Sequence, residues 1–126
     1  MNLVDSSGWI HYFMNGSLAK SYAEYLSKTK ELVTPTVVLY EVYKKLKSEL
    51  SEEGALMAAA QMEKTVLAPL SESIAYHAAD LALEHKLAMA DAIVYATADV
   101  YKAKLITSDS DFKRLPQVTY INTEEK

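Results

Sequence analysis

Asp5, Glu41, Asp91 and Asp109 are far apart in the chain, yet each falls where a strand should end or a helix should begin. Asp5 closes the short run 2–5 and Asp109 closes the run 104–109, so both are expected at the carboxyl ends of buried strands. Glu41 and Asp91 are expected in the opening turns of two helices. In an open α/β sheet that edge is where loops and helix N-termini converge and ligands bind. Carboxylates gathered there would repel one another by roughly 1 to 4 kcal/mol per close pair, depending on the effective dielectric, so a cation should accompany them. Hard divalent cations take oxygen donors, which makes Mg²⁺ or Mn²⁺ the natural occupant. Taken singly, each acid also has a plainer reading. Asp5 could cap a helix, Asp91 could be a first-turn acid that suits the helix dipole, Glu41 could be a surface glutamate, and Asp109 with Asp111 could form a polar turn. The conjunction of the four is what favours a metal cluster.

The elements that must position these acids alternate between strand-like and helix-like segments. Short strands are expected at 2–5, 31–34, 65–70, 105–108 and 118–121, the second of them stopped by Pro35. Helices are expected at 6–14, 18–30, from Thr36 to about 50, 51–64, from about 70 to 86, and 91–104, with a small one at 111–115. Val38, Leu39, Val42, Tyr43, Leu46 and Leu50 form one apolar stripe at helical spacing, with Glu41 flanking it. Ser51 followed by Glu52 and Glu53 is a helix start, because a hydroxyl cap and early acids satisfy the first turn. Strands separated by helices, with no hairpin dipeptide between them, imply a mostly parallel sheet covered by helices. Residues 1–122 are expected to form one domain and 123–126 a polar C-terminal tail, with no repeat or linker.

Bulk composition permits this reading. The chain has 126 residues, half of them hydrophobic, which is enough for a single core. Without cysteine there can be no disulfide, thiolate zinc site or cysteine nucleophile. The first residues include Asp5 and no basic stretch, and no apolar run approaches the ~20 residues needed to span a bilayer, so a soluble cytoplasmic protein that avoids the membrane is expected. A net charge of −4 argues against holding nucleic acid by a broad positive surface, but not against local binding through metal ions. His77 and His85 are eight apart and His11 is remote, so the three histidines form no metal or catalytic set by spacing. Among the nine tyrosines, Tyr12, Tyr40 and Tyr43 could stack on bases or line a protein groove, although packing accounts for most of the nine. Lys44, Lys45 and Lys47 follow Glu41 on the same helix and could meet phosphates there, as could Arg114 beyond the acidic turn; a solvated helical face is the alternative for the lysines.

Val4-Asp5-Ser6-Ser7, Thr36 to Val42 around Glu41, Ala90-Asp91-Ala92 continuing to Ala98, and Leu105-Ile106-Thr107-Ser108-Asp109-Ser110-Asp111-Phe112 together resemble the PIN-domain nucleases, in that family's order and over nearly the whole chain. The small size and the Thr-x-Asp-x-Asp-Phe ending resemble the VapC-type toxins of toxin/antitoxin pairs. The resemblance implies a Rossmann-like α/β/α sandwich and an Mg²⁺- or Mn²⁺-dependent endoribonuclease that leaves a 5′-phosphate and a 3′-hydroxyl. It also implies an RNA substrate, a cognate small antitoxin and a toxin homodimer, for which the tyrosine-bearing helices between Leu18 and Ala60 are a candidate surface. Carried over by position, Asp5, Glu41, Asp91 and Asp109 match the family's acidic cluster and Asp111 a further acid, while Ser7 and Thr107 fall on hydroxyl positions that could orient a carboxylate or a water. Two other readings keep the fold: an RNA-processing nuclease outside any toxin/antitoxin module, and a non-catalytic protein-binding domain. A phosphatase of the haloacid dehalogenase type would want an aspartate where Ser7 stands, and a receiver domain would want a lysine after a late strand.

Overall fold

Residues 1–122 are described by a computed structural model, and the polar tail expected at 123–126 lies outside the described residues. Five three- or four-residue strands, all parallel to their neighbours, carry the architecture: β1 (Asn2–Val4), β2 (Val33–Pro35), β3 (Val66–Ala68), β4 (Lys104–Thr107) and β5 (Val118–Tyr120). β1 pairs with β4 in the register Leu3 to Leu105 and Val4 to Ile106, and β4 pairs with β5. β2 pairs with β3, and a bridge between Asn2 and Leu32 joins this ladder to β1. The resulting order is β3-β2-β1-β4-β5. The chain therefore builds outward from β1 in one direction and then returns to its other side, so the gap between the carboxyl ends of β1 and β4 is the switch point at which open parallel sheets bind ligands.

Six helices accompany these strands: α1 (Ser6–Phe13), α2 (Ala19–Leu26), α3 (Thr36–Glu49), α4 (Glu52–Met62), α5 (Glu72–His85) and α6 (Met89–Val100). Three of them start on side-chain caps. Asp5 accepts the Ser6 amide, Ser51 the Gly54 amide and Ser71 the Ile74 amide, each worth about 1 kcal/mol. Helices cover both faces of the sheet, because Leu3, Val4, Leu105 and Ile106 are all buried although alternate residues of a strand point to opposite faces. The fold is thus the Rossmann-like α/β/α arrangement expected of a mostly parallel sheet.

Several boundaries differ from the expected ones; the small helix expected over 111–115 is a 3₁₀ turn at Ser110–Phe112, and the third strand is shortened to Val66–Ala68. The helix expected over 18–30 ends at Leu26, and Thr29–Glu31 forms a separate 3₁₀ turn, which takes Glu31 out of the second strand. Pro35 closes β2 instead of stopping it, since its φ of −62° suits extended backbone and the same residue then leads into α3. The last long helix begins at Met89, ahead of Asp91, and ends at Val100, with Lys102 in the left-handed region beyond it. On α3, Val38, Val42 and Leu46 enter the core as the stripe requires, whereas Leu50 lies past the helix end and is exposed.

Candidate metal centre

Asp5 sits directly after β1, where its amide donates to the Ile106 carbonyl of β4 at 3.1 Å and its side chain caps α1. Its Oδ1 accepts the Ser6 amide at 2.8 Å, and its Oδ2 accepts the Thr107 hydroxyl at 3.0 Å. The same hydroxyl oxygen accepts the Asp109 amide at 3.0 Å, and Asp109 Oδ1 in turn accepts the Asp111 amide at 2.9 Å. One threonine at the end of β4 thereby ties acids that are 104 positions apart. Thr107 does what its hydroxyl was expected to do.

α6 brings Asp91 into the same corner from its first turn. Carboxyl oxygens of Asp91, Asp109 and Asp111 all lie within 4.8 Å of one another. Asp5 and Glu41 stand outside that tight trio but within its electrostatic field. Burial pushes the Asp5 carboxyl up to about 6; hydrogen bonds from Ser6 and Thr107 hold it down, and the charges of Asp109 and Glu41 raise it further. Asp91 is also raised to about 6, first by burial and then by Asp109, Asp5, Asp111 and Glu41 in turn. Asp5, Asp91, Asp109 and Asp111 therefore gather at one corner, and Glu41 is near enough for its charge to act on Asp5 and Asp91. Glu41 joins from the second turn of α3, one turn deeper in its helix than an opening-turn residue.

Two carboxyl groups raised by burial first and by neighbouring acids second are the electrostatic signature of acids assembled for a purpose other than stability. The donor set is all oxygen, with no cysteine in the chain and no histidine in the group. That chemistry fits a hard divalent cation such as Mg²⁺ or Mn²⁺, which would relieve the repulsion.

The remaining expected contacts divide. His77 Nε2 meets Asp99 Oδ2 at 2.6 Å between α5 and α6, His11 stacks on Tyr22, and His85 packs edge-on against Tyr95. Lys45 pairs with Glu49 at 2.6 Å and Lys47 with Glu52 at 3.5 Å, which ties two of the three α3 lysines to their own surface. Lys44 instead lies 5.6 Å from the centre of the Tyr40 ring, and both line a shallow cleft with Glu41. Arg114 donates to the His85 carbonyl at 3.4 Å. Ser7 Oγ is buried beside the Tyr22 phenol without a hydrogen bond of good geometry, and so does not orient a carboxylate.

Sequence reasoning passed over the Tyr22 hydroxyl, which donates to Ser108 Oγ at 2.9 Å between Thr107 and Asp109. Its helical spacing with Leu18, Tyr25 and Leu26 signals packing alone. Also unforeseen is an apolar groove between α5 and α6, lined by Leu70, Ala79, Ala82, Met89 and Ile93. It holds no titratable group, so the chemistry belongs to the acidic corner.

A model of the PIN domain matches residues 3–118 of the chain. Among solved structures, a toxin–antitoxin complex from Klebsiella pneumoniae contains a chain similar to this one at 28% identity, with a TM-score of 0.80 and coverage of 94% of this chain and 96% of that one. VapC20 of Mycobacterium tuberculosis, described as a sarcin–ricin loop cleaving toxin, shares the fold at a TM-score of 0.77 and 17% identity, over 92% and 95% of the two chains. FitAcB from Neisseria gonorrhoeae does so at 0.71 and 17%, over the whole of both. No curated protein matches the chain.

Proposed function

The chain belongs to the PIN-domain family, and from that premise we propose that it is a divalent-metal-dependent endoribonuclease acting as the toxin of a toxin/antitoxin pair. The observation that supports this reading is the gathering of Asp5, Asp91, Asp109 and Asp111 at the β1/β4 switch point, within range of the Glu41 charge, with Asp5 and Asp91 raised to about 6. Asp5, Glu41, Asp91 and Asp109 are assigned to hold Mg²⁺ or Mn²⁺, directly or through water, with Asp111 as a further ligand supported by its place in the tight trio. When bound, such an ion neutralises charge on phosphoryl oxygens and makes water nucleophilic near neutral pH.

The chain's own groups supply the rest. Thr107 and the Ser6 amide keep both Asp5 oxygens oriented, so the carboxylate does not have to be ordered when substrate arrives. The Thr107–Asp109–Asp111 hydrogen bonds hold the other side of the cleft at a fixed spacing. Lys44 and Tyr40 beside Glu41 offer an ammonium for a phosphate and a 60% exposed ring on which a base can stack. The net reaction is hydrolysis of a phosphodiester in RNA, leaving a 5′-phosphate and a 3′-hydroxyl, with no histidine base.

A cognate antitoxin and a second copy of the chain are the proposed protein partners, and the likeness to a toxin–antitoxin complex supports the first. Residues 1–122 are read as one domain working in the cytoplasm; no described helix is long and apolar enough to cross a membrane. The test is RNA cleavage by the purified chain in Mg²⁺ or Mn²⁺. Asp5→Asn and Asp91→Asn should each reduce cleavage by more than the roughly 10–100-fold that losing a ligand's hydrogen-bond partner costs, with an unchanged circular dichroism spectrum. Full cleavage by both variants would overturn the ligand assignment.

A further inference from the structure

Tyr22 lies on α2, away in sequence from every acid of the cluster, yet its side chain is fully buried and ends at the acidic corner. Its ring packs against one face of α1. Gly8 leaves the space that the ring fills, since a Cβ there would lie 2.5 Å from Tyr22 Cε1, and one turn on the His11 ring stacks on it at 6.2 Å with an 18° tilt. So fixed, the phenol donates to Ser108 Oγ at 2.9 Å. Ser108 is the residue between Thr107, which holds Asp5, and Asp109, whose carboxylate lies in the tight trio.

We propose that Tyr22 is a positioning residue for the acidic cluster: its hydroxyl, through Ser108, sets the backbone corner from which Asp109 presents its carboxylate to Asp5 and Asp91. This rests on the metal-dependent reading above and extends it to a residue that touches neither ion nor substrate. A phenylalanine would fill the same cavity and stack on His11 equally well, so packing does not account for the hydroxyl. A buried hydroxyl costs free energy unless it is bonded, and here its bond is to the one residue that joins the two halves of the Thr107–Asp109 corner. The phenol is protonated at neutral pH, burial pushing its pKa further up, and so it is a donor. Without that bond Ser108 is free to change rotamer, and the corner loses its tie to α2. Removing a partner bonded directly to a ligand typically changes metal affinity by about 10–100-fold, and Tyr22 acts one residue further out, so the lower end of that range is expected.

The experiment is a Mn²⁺ titration of the full chain by calorimetry, at a temperature well below unfolding, for the wild type, Tyr22→Phe, Ser108→Ala and the double variant. Each single variant should bind Mn²⁺ about tenfold more weakly, and the double variant no more weakly than the worse single, because both remove one link. A purely structural tyrosine would lower the thermal midpoint and leave Mn²⁺ affinity unchanged; that result, or additive losses in the double variant, overturns the proposal while leaving the nuclease reading standing. A wild type that binds no Mn²⁺ overturns both.

Discussion

Asp5 and Asp91 each have a carboxyl pKa near 6 against an ordinary value of 3.8, so the folded chain binds protons between about pH 4 and 6 that the unfolded chain has released. The contribution of these two acids to the stability of the metal-free protein should therefore be greatest below pH 4, fall as pH rises to about 6, and stay flat above. A shift of this size corresponds to up to about 3 kcal/mol for Asp5, which is only 5% exposed; half-buried Asp91 contributes less because solvent screens it. Chemical denaturation in a chelator across pH 4–7 measures this, and a rise over that range would contradict it. Asp91 accepts no resolved hydrogen bond that an amide would lose, so Asp91→Asn should stabilise the metal-free fold at pH 7 by on the order of 1 kcal/mol while weakening Mn²⁺ binding. Loss of stability in that variant would mean that the acid serves the fold. The places of Asp5, Asp91 and Asp109 at strand ends and a helix start were legible in the sequence, because such positions follow from hydrophobic runs and caps, whereas Glu41 lies one turn deeper in α3 than its run suggested. The grip of the acids on one another was not legible: the Thr107–Asp5 bond spans 102 positions and depends on the β1/β4 register.

At the scale of elements, periodicity located every strand and every long helix, since alternating apolar segments and Ser or Asp caps are local signals. Boundaries without such signals drifted. α6 begins at Met89 after Ala88, whose side chain can cap nothing, so Asp91 looked like the helix start. α2 packs close to α1 for a reason that neither helix shows alone, namely that Gly8 makes room for the Tyr22 ring. Gly8→Ala puts two effects in opposition. Alanine favours a helix interior over glycine by about 1 kcal/mol, but its methyl would lie 2.5 Å from Tyr22 Cε1 and 2.6 Å from Val4 Cγ1, with both neighbours buried in the core. Overpacking of that kind costs roughly 1–3 kcal/mol, and since neither β1 nor the stacked Tyr22 ring can withdraw freely, the clash should win. The urea midpoint of Gly8→Ala should fall; a midpoint above wild type would show that the α1–α2 contact yields more readily than the geometry implies.

For the whole molecule, the acidic cleft leaves most of the surface unassigned, and its apolar part is concentrated. The tyrosine-bearing stretch between Leu18 and Ala60 contributes exposed Tyr40, Leu56 and Met57. The largest apolar exposures lie elsewhere: Leu83 at 83% and Met89 at 79%, with Tyr76 on the same face of α5 as Leu83, seven residues away. Met89 lines the α5/α6 groove, where small alanines would let a partner helix approach closely, and Leu83 and Tyr76 extend the apolar surface on the adjoining face of α5. Such a face is costly to leave in water, since each large apolar side chain covered contributes about 1.5–3 kcal/mol. If the second copy of the chain covers it, the interface is isologous and any substitution enters it twice. Leu83→Glu then places two carboxylates in one apolar contact, a loss that a modest interface cannot absorb, and because Leu83 belongs to α5 and to none of the contacts holding the acids, Mn²⁺ affinity should not change. Sedimentation equilibrium should give a dimer for the wild type and a monomer for Leu83→Glu at the same concentration, whereas a variant as dimeric as wild type would move the self-association surface back to the helices between Leu18 and Ala60.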